Sequence, residues 1–289
     1  MTPFYEQIAR FGIRQNLNGI LAEPRGGRHA DKPAIVILNS GVVHRIGHYR
    51  MYVTMARKLA AAGYSVLRFD FSGIGDSASR SDNLEPDAAA RADITSALDW
   101  LSETRGIKTA VLLGLCSGAD IALKYAHADD RVVALVLLDP TIPPTWKFYA
   151  HYISQRVTDM RSWQTFLVGR GRIWGDLIIR IFAAAGVPLI EAQRRLVDPQ
   201  SRRDLEALFK HSLERKLRLL IVFTGGMAEY REQLLDAFPS LSFGNALTLE
   251  FLNDCDHVFT AAKHREKLNE LVLTLLQDMR FGERFEAFP

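Results

Sequence analysis

The fold is predicted by one stretch, Thr109-Ala-Val-Leu-Leu-Gly-Leu-Cys-Ser-Gly-Ala-Asp120. Its apolar first half is typical of a buried β-strand, and Ala119–Ala126 has the spacing of a helix. The two meet at Gly114-Leu-Cys-Ser-Gly118, so the pattern indicates a strand, a sharp turn and a helix. Such a turn holds its central residue in a strained backbone conformation, with the side chain clear of the sheet and close to helix N–H groups. The central residue is therefore a candidate nucleophile.

The positions of the glycines identify the central residue as Cys116. Gly114 and Gly118 bracket it symmetrically, whereas a turn centred on Ser117 would need glycines at 115 and 119, which are leucine and alanine. The competing interpretation is a small buried residue at a strand end, which is the usual role of a free cysteine. A nucleophile also needs a base, an orienting acid and donors for an oxyanion, which the rest of the chain must supply.

Composition places the chain among ordinary globular proteins. It has 289 residues, of which 48% are hydrophobic and 24% charged, and its formal net charge is +3. The length suits one large α/β domain with an insertion, and the charge requires no nucleic-acid partner. Two cysteines do not suggest a disulfide framework, so we expect reduced thiols and a cytoplasmic protein. Residues 1–10 lack a secretory signal pattern, and no apolar run is long enough for an integral membrane segment.

Short apolar runs alternate with helical patterns along most of the chain. The predicted strands lie at 33–39, 64–70, 109–113, 131–139, 217–224 and 247–252, and the predicted helices at 51–62, 88–104, 119–126, 230–237 and 260–279. Two weaker β patterns between residues 4 and 24 suit an antiparallel hairpin at a sheet edge. The alternation predicts an α/β fold with a mostly parallel eight-stranded sheet covered by helices on both faces.

The alternation stops between residues 141 and 216, which we predict to be a helical cap inserted after the sixth strand. The core would then comprise 1–140 and 217–289. The insertion carries thirteen Lys and Arg residues against seven Asp and Glu residues. A basic cap would favour an anionic substrate or an acidic carrier protein, although a solvated helix surface explains the charge equally well. Trp146 and Trp174 are candidates to line a pocket for an acyl group.

Two further segments carry a family resemblance. Arg68-Phe-Asp-Phe-Ser-Gly-Ile-Gly-Asp-Ser77 is similar to the Arg-x-Asp-x-x-Gly-x-Gly-x-Ser segment of the α/β-hydrolase fold, and Asp256-His-Val-Phe259 is similar to its histidine loop. From Pro33 to the C-terminus the chain resembles that fold. More narrowly, Asn39–Gly47 together with Gly114–Ala119 resembles exosortase A system-associated hydrolase 1, a bacterial subgroup linked to polysaccharide export and protein sorting. This resemblance implies a cytosolic hydrolase of unassigned substrate.

The resemblance and the spacing suggest which residues form a catalytic triad. Of the eight histidines, only His257 follows the last predicted strand at a position from which its side chain can reach the turn at Cys116, so it is the candidate base. The orienting acid is expected in the loop after the strand at 217–224, where Glu229 has the family's spacing from Gly226. Glu232 and Asp236 remain alternatives, and the competing interpretation is a carboxylate at a helix N-terminus that the macrodipole favours.

The remaining candidates surround the predicted nucleophile. Backbone N–H groups of Ser117 and Val42 would form the oxyanion hole. His44 and Arg45 lie in the same loop as Val42, either as substrate-binding residues or as solvated loop residues. The segment from Arg68 to Asp76 is expected to brace this loop, as in the family. No cofactor and no metal ion are expected.

Three functions are compatible with these residues. The first is hydrolysis of a carboxylic ester or thioester through an acyl-enzyme on Cys116. The second is an acyltransferase that passes the same acyl group to an alcohol or amine. The third is a non-catalytic ligand-binding module on a hydrolase scaffold, because a fold alone does not determine function. The expected partner is a small-molecule or carrier-bound acyl substrate, and the oligomeric state is left open.

Overall fold

The structure is a computed structural model that describes residues 3–27, 32–143, 145, 199–225 and 232–279. Most of the predicted cap therefore lies outside the described residues. The described strands are β1 (Phe4–Phe11), β2 (Leu17–Pro24), β3 (Ala34–Ile37), β4 (Val66–Phe69), β5 (Ala110–Leu115), β6 (Val132–Leu138), β7 (Arg218–Thr224) and β8 (Leu247–Leu252). The described α-helices are α1 (Met51–Ala61), α2 (Pro86–Arg105), α3 (Ser117–Ala126), α4 (Pro199–Glu214), α5 (Gln233–Ala237) and α6 (Ala262–Asp278).

The strands form one eight-stranded sheet in the order β1-β2-β4-β3-β5-β6-β7-β8. The β1–β2 and β2–β4 pairs are antiparallel, and all the pairs from β4 to β8 are parallel. This confirms the predicted mostly parallel sheet. The strands β3 and β6 flank β5, so the loops that follow all three strands start at the same edge of the sheet. That edge is where side chains from distant parts of the sequence can meet.

The apolar core explains why the central strands are continuous hydrophobic runs. All six residues of β5 are buried, because a parallel strand in the middle of a sheet is covered on both faces. Met55 and Leu59 of α1 and Leu268 and Val272 of α6 share one buried cluster with alternate residues of the sheet. On a scale of about 1.5–3 kcal/mol for each large side chain, this cluster is a major source of the stability that holds the strand ends in place.

The chain divides into two compact units. One comprises Met1–Thr141, His211–Met227 and Phe243–Pro289, and the other comprises Ile142–Lys210 and Ala228–Ser242. Within the second unit the rings of Phe209 and Phe238 lie 5.6 Å apart, and the guanidinium of Arg202 donates to the carbonyl of Ala237 at 2.6 Å. Among the described helices, none is both long enough and apolar enough to cross a membrane.

Candidate active site

The turn between β5 and α3 has the strained geometry that the sequence predicts. Cys116 has φ 56° and ψ −122° and directly precedes α3. A Cβ at position 114 would lie 2.2 Å from the carbonyl carbon of Gly118, and a Cβ at 118 would lie 2.4 Å from the carbonyl oxygen of Asn39. Neither position can therefore hold a side chain without moving the backbone. Cys116 is the residue held at the turn, whereas Ser117 already belongs to the helix.

The thiol of Cys116 is placed to ionise. Cys116 is a half-buried free cysteine, and its pKa is lowered from the ordinary value. The largest cause is a side-chain hydrogen bond with His257, and the backbone N–H of Ser117 also hydrogen-bonds the sulfur. These contacts outweigh partial burial and the nearby carboxylate of Asp120, both of which oppose ionisation. A cysteine at a helix N-terminus beside a histidine is the arrangement that favours a thiolate.

His257 lies in the loop after β8 and joins the thiol to a carboxylate. Its Nδ1 lies 2.8 Å from Oδ2 of Asp139, which leaves Nε2 for the sulfur of Cys116. The pKa of His257 is raised to about 10, first by the hydrogen bond with Asp139 and then by the bond with Cys116, against the opposing effect of partial burial. Relative to the isolated side chains, both shifts favour the form in which an imidazolium pairs with a thiolate.

Asp139 is held in place by the neighbouring strand. It directly follows β6, and its side chain is fully buried. Its Oδ1 accepts a hydrogen bond from the backbone N–H of Thr224 at 2.7 Å, and its Oδ2 accepts one from the Thr224 hydroxyl, also at 2.7 Å. With His257 these contacts give the carboxylate three hydrogen bonds, which compensate for burying its charge.

The carboxylate that contacts His257 among the described residues is one that the sequence analysis did not single out. Glu229 lies outside the described residues, and the carboxylate that the structure places at Nδ1 of His257 is Asp139. Because β6 and β7 are adjacent, an acid after either strand can reach the same point, and here the end of β7 supplies Thr224 as a hydrogen-bond donor instead. A signal was present in the sequence, since Asp139 ends a buried apolar run and precedes Pro140. Its φ of 44° is a conformation that aspartate tolerates better than most residues.

The loop after β3 contacts the turn that carries Cys116. The backbone N–H of Val43 donates to the carbonyl of Ser40 at 3.0 Å, which closes a tight turn with Gly41 and Val42 at its tip. Gly41 has φ 55°, and its N–H donates to the side-chain oxygen of Ser117 at 2.7 Å. The two segments that carry the predicted oxyanion donors therefore lie together.

A buried carboxylate braces the same loop from the other side. Asp70 accepts hydrogen bonds from the backbone N–H of Arg45 at 2.6 Å and from the side-chain amide of Asn39 at 3.1 Å. The guanidinium of Arg45 also pairs with Asp70 and with Asp76 at 2.7 Å. Arg45 was expected among the substrate-binding residues or in solvent. The structure instead directs its charge into the two carboxylates, so it stabilises the loop.

His44 lies on the outer side of this brace. Its Nε2 lies 2.7 Å from Nη1 of Arg45 and 3.4 Å from Oδ2 of Asp76. Potential ligand atoms of His44, Asp70 and Asp76 lie within 4.8 Å of one another. The guanidinium of Arg45 already pairs with both carboxylates, so these groups form an ion-paired cluster around an arginine. Trp146 and Trp174, the other predicted substrate contacts, lie outside the described residues.

Comparison with known proteins identifies the family. A family model described as "Serine aminopeptidase, S33" matches residues 30–209, which is more than half of the chain. The chain belongs to this family. It is therefore an enzyme of the hydrolase class with the α/β-hydrolase fold, as the sequence motifs predicted. No curated protein matches the sequence significantly.

Solved structures show how widely the fold of this serine aminopeptidase family is shared. An esterase from Pyrococcus furiosus is 17% identical with a TM-score of 0.54, over 95% of this chain and 91% of that chain. A Xanthomonas campestris protein, described as an α/β serine hydrolase without a lid, is 15% identical with a TM-score of 0.55, over 98% and 97%. A meta-cleavage product hydrolase from Pseudomonas fluorescens is 17% identical with a TM-score of 0.54, over 91% and 94%. At these identities the likeness shows the fold alone.

One feature of the site departs from the family's name. The family is described as a serine aminopeptidase, whereas the residue in the strained conformation is Cys116. The neighbouring Ser117 uses its hydroxyl oxygen to accept a hydrogen bond from Gly41. The serine that follows the turn is therefore engaged with the loop after β3, and the cysteine is the residue that contacts His257.

Proposed function

We propose that this enzyme hydrolyses a carboxylic ester or thioester through a covalent acyl-enzyme on Cys116. The observation that carries the proposal is the contact series in which His257 hydrogen-bonds the thiol on one side and Asp139 on the other. Each member is fixed by a separate strand end, so the three side chains are arranged before a substrate binds. Such prearrangement is what nucleophilic catalysis requires.

Acylation begins from the thiolate and the imidazolium. The sulfur of Cys116 attacks the carbonyl carbon and forms a C–S bond, and the carbonyl electrons move to oxygen. Backbone N–H groups of Val42 and Ser117 stabilise this oxyanion, a contribution of about 2.7–4 kcal/mol for each donor in comparable sites. When the tetrahedral intermediate collapses, the bond to the leaving group breaks, and the alkoxide or thiolate takes the proton from Nε2 of His257.

Deacylation needs His257 in its neutral form, and acylation of Cys116 favours the loss of the imidazolium proton. Once the sulfur has become part of a thioester it carries no charge, so one of the causes that raise the pKa of His257 disappears. Asp139 still holds Nδ1–H and therefore fixes the tautomer with Nε2 free to accept a proton. Neutral His257 takes a proton from water, the hydroxide attacks the thioester, and the acid leaves while the thiolate reforms.

Acyl transfer is a second candidate, and the cysteine is the observation that favours it. A thioester intermediate is more reactive towards amines and thiols than an ordinary ester, so an acceptor in the site would compete with water. The narrower resemblance to exosortase A system-associated hydrolase 1 is part of this proposal. It is supported by the contact between its two signature segments, through Gly41 and Ser117. A cytoplasmic location is supported by the two free thiols, since a nucleophilic thiol needs reducing surroundings.

The test is to find the acyl group on the protein. We expect p-nitrophenyl acetate to release a burst of p-nitrophenol and to leave one acetyl group on Cys116, detected by mass spectrometry of intact protein and peptides. Cys116→Ala should abolish both signals. Glycerol or an amine added to the reaction would convert product acid into ester or amide if transfer competes with hydrolysis.

Two outcomes would contradict the proposal. Acetylation that survives in Cys116→Ala but not in Ser117→Ala would place the nucleophile on the serine. Failure of esters, thioesters and thiol-directed probes alike to modify the folded protein would favour a non-catalytic binding module. Cys255 serves as the internal control, because it is 2% exposed and burial raises its pKa to about 12.

A further inference from the structure

We propose that the hydroxyl of Ser117 is a positioning residue that sets the distance between the two oxyanion donors. The proposal rests on the oxyanion hole of the proposed function and assigns its geometry to one side chain. Ser117 supplies one donor through its own backbone N–H. Its side-chain oxygen accepts the N–H of Gly41 at 2.7 Å, and Gly41 is bonded directly to Val42, which supplies the other donor.

Beyond the hydrogen bond from Val43 to Ser40 that closes its turn, the tip of this loop at Gly41 and Val42 has little other support. An ideal Cβ on Gly41 would have, within 4 Å among the described residues, only the Ser117 side-chain oxygen, at 3.9 Å. The side chain of Val42 is 87% exposed, so it does not pack the tip against the core. Further back the loop is firmly held, because Asn39 is buried and its carbonyl packs against Gly118. The hydrogen bond to Ser117 therefore fixes the part of the loop that packing leaves free.

Because of the backbone conformation at Gly41, its hydrogen bond with Ser117 influences the direction of the next peptide group. Gly41 has a left-handed φ of 55°, and glycine allows rotation at this position that other residues resist. The bond to Ser117 fixes the peptide group just before Gly41, so the direction of the next peptide N–H, that of Val42, depends on it. A displacement of about 1 Å at a catalytic group can cost about a hundredfold in rate. Losing the side-chain oxygen should thus weaken oxyanion stabilisation without touching the nucleophile.

The effect of Ser117 on the oxyanion donors can be separated from a general effect on the site by comparing two reactions of the Cys116 thiol. Acylation by p-nitrophenyl acetate passes through an oxyanion, whereas alkylation by iodoacetamide displaces iodide at a saturated carbon and forms none. Both need the Cys116 thiolate. In Ser117→Ala we expect the acylation rate constant to fall about ten- to a hundredfold, with KM and the alkylation rate each within about twofold of wild type.

The control is Ser117→Thr, which keeps the hydroxyl oxygen and should recover acylation to within about threefold of wild type. A proportional loss of alkylation and acylation in Ser117→Ala would show that Ser117 acts on the thiolate and would overturn the proposal. Unchanged acylation in Ser117→Ala would overturn it as well. Acylation that persists in Cys116→Ala would instead show that the proposed function has failed, so the two failures are distinguishable.

Discussion

Replacing Asp139 by asparagine tests the acid that the structure assigns. The hydrogen bond with Asp139 is the largest cause of the rise in the pKa of His257 from 6.5 to about 10, and one pKa unit corresponds to about 1.4 kcal/mol. Cys116 contributes part of the rise, and the 29% exposure of the imidazole allows solvent to screen the charges. These considerations leave about 2–3 kcal/mol for the Asp139 contact, or roughly a 30- to 150-fold fall in the acylation rate.

The chemistry of the substitution gives a second signature. Asparagine keeps the shape of the side chain, but its NH2 group would donate towards Nδ1 of His257 and favour the tautomer with the proton on Nε2. The imidazole then loses the charge that lowers the thiol pKa. We therefore expect the pH at which Cys116 becomes half-reactive towards iodoacetamide to rise in Asp139→Asn.

The assay is stopped-flow acylation with p-nitrophenyl acetate together with the pH dependence of alkylation. Glu229→Gln is the matched control, because it removes the carboxylate that the sequence favoured, and it should leave both measurements within about twofold of wild type. Asp139 is not the orienting acid if Asp139→Asn changes neither measurement while Glu229→Gln slows acylation and raises the pH at which Cys116 becomes half-reactive.

Two further predictions concern packing and pH. In Gly118→Ala the added Cβ would meet the carbonyl oxygen of Asn39 at 2.4 Å, so we expect a loss of about 1–3 kcal/mol of unfolding free energy, measured by urea denaturation. Gly26→Ala, where a Cβ meets nothing within 4 Å, should be neutral, and equal stability of the two variants would contradict the packing argument. For pH, kcat/KM should rise through the lowered pKa of Cys116, which is below its ordinary value of 9.0. At higher pH, kcat/KM should fall as His257 loses its proton near a pKa of about 10. If kcat/KM instead rises only at or above pH 9.0, the thiol pKa is not lowered and the ion pair is excluded.

The sequence was sufficient for the framework because the signals involved are local. Buried parallel strands are continuous apolar runs, and the strand at 247–252 was predicted with the bounds that β8 has. The weak patterns near the N-terminus pair as the expected antiparallel hairpin. The turn at Cys116 could be predicted for the same reason, since the need for Gly114 and Gly118 arises from contacts within a few residues and with one neighbouring strand.

The contact between Asp139 and His257 could not be predicted because it depends on the relation between two strands. Carboxylates follow both β6 and β7 in the sequence, and spacing alone cannot show which one points at His257. The choice is made by Thr224, which ends β7 with two hydrogen bonds to Asp139, and by the left-handed φ of Asp139. Neither the contacts of Thr224 with Asp139 nor the backbone conformation of Asp139 can be read from the sequence before the parallel pairing of β6 and β7 is known.

Arg45 shows the same limit for charged loop residues. The sequence places Arg45 in the same loop as Val42, but it does not indicate the direction of a long side chain. The buried Asp70 determines that direction, because a buried carboxylate needs a compensating charge. Arg45 supplies this charge, so its guanidinium pairs with carboxylates of the protein itself.

The opposite environments of the two cysteines make the wild-type chain behave chemically as a single-cysteine protein. Cys255 is buried with a pKa raised to about 12, whereas the pKa of Cys116 is lowered. A maleimide dye or a photo-crosslinker at neutral pH should attach to Cys116 alone, without any prior mutation. A candidate acyl compound that occupies the site or acylates the thiol should slow this labelling of Cys116 in the native sequence, and that protection provides a direct screen for the natural substrate.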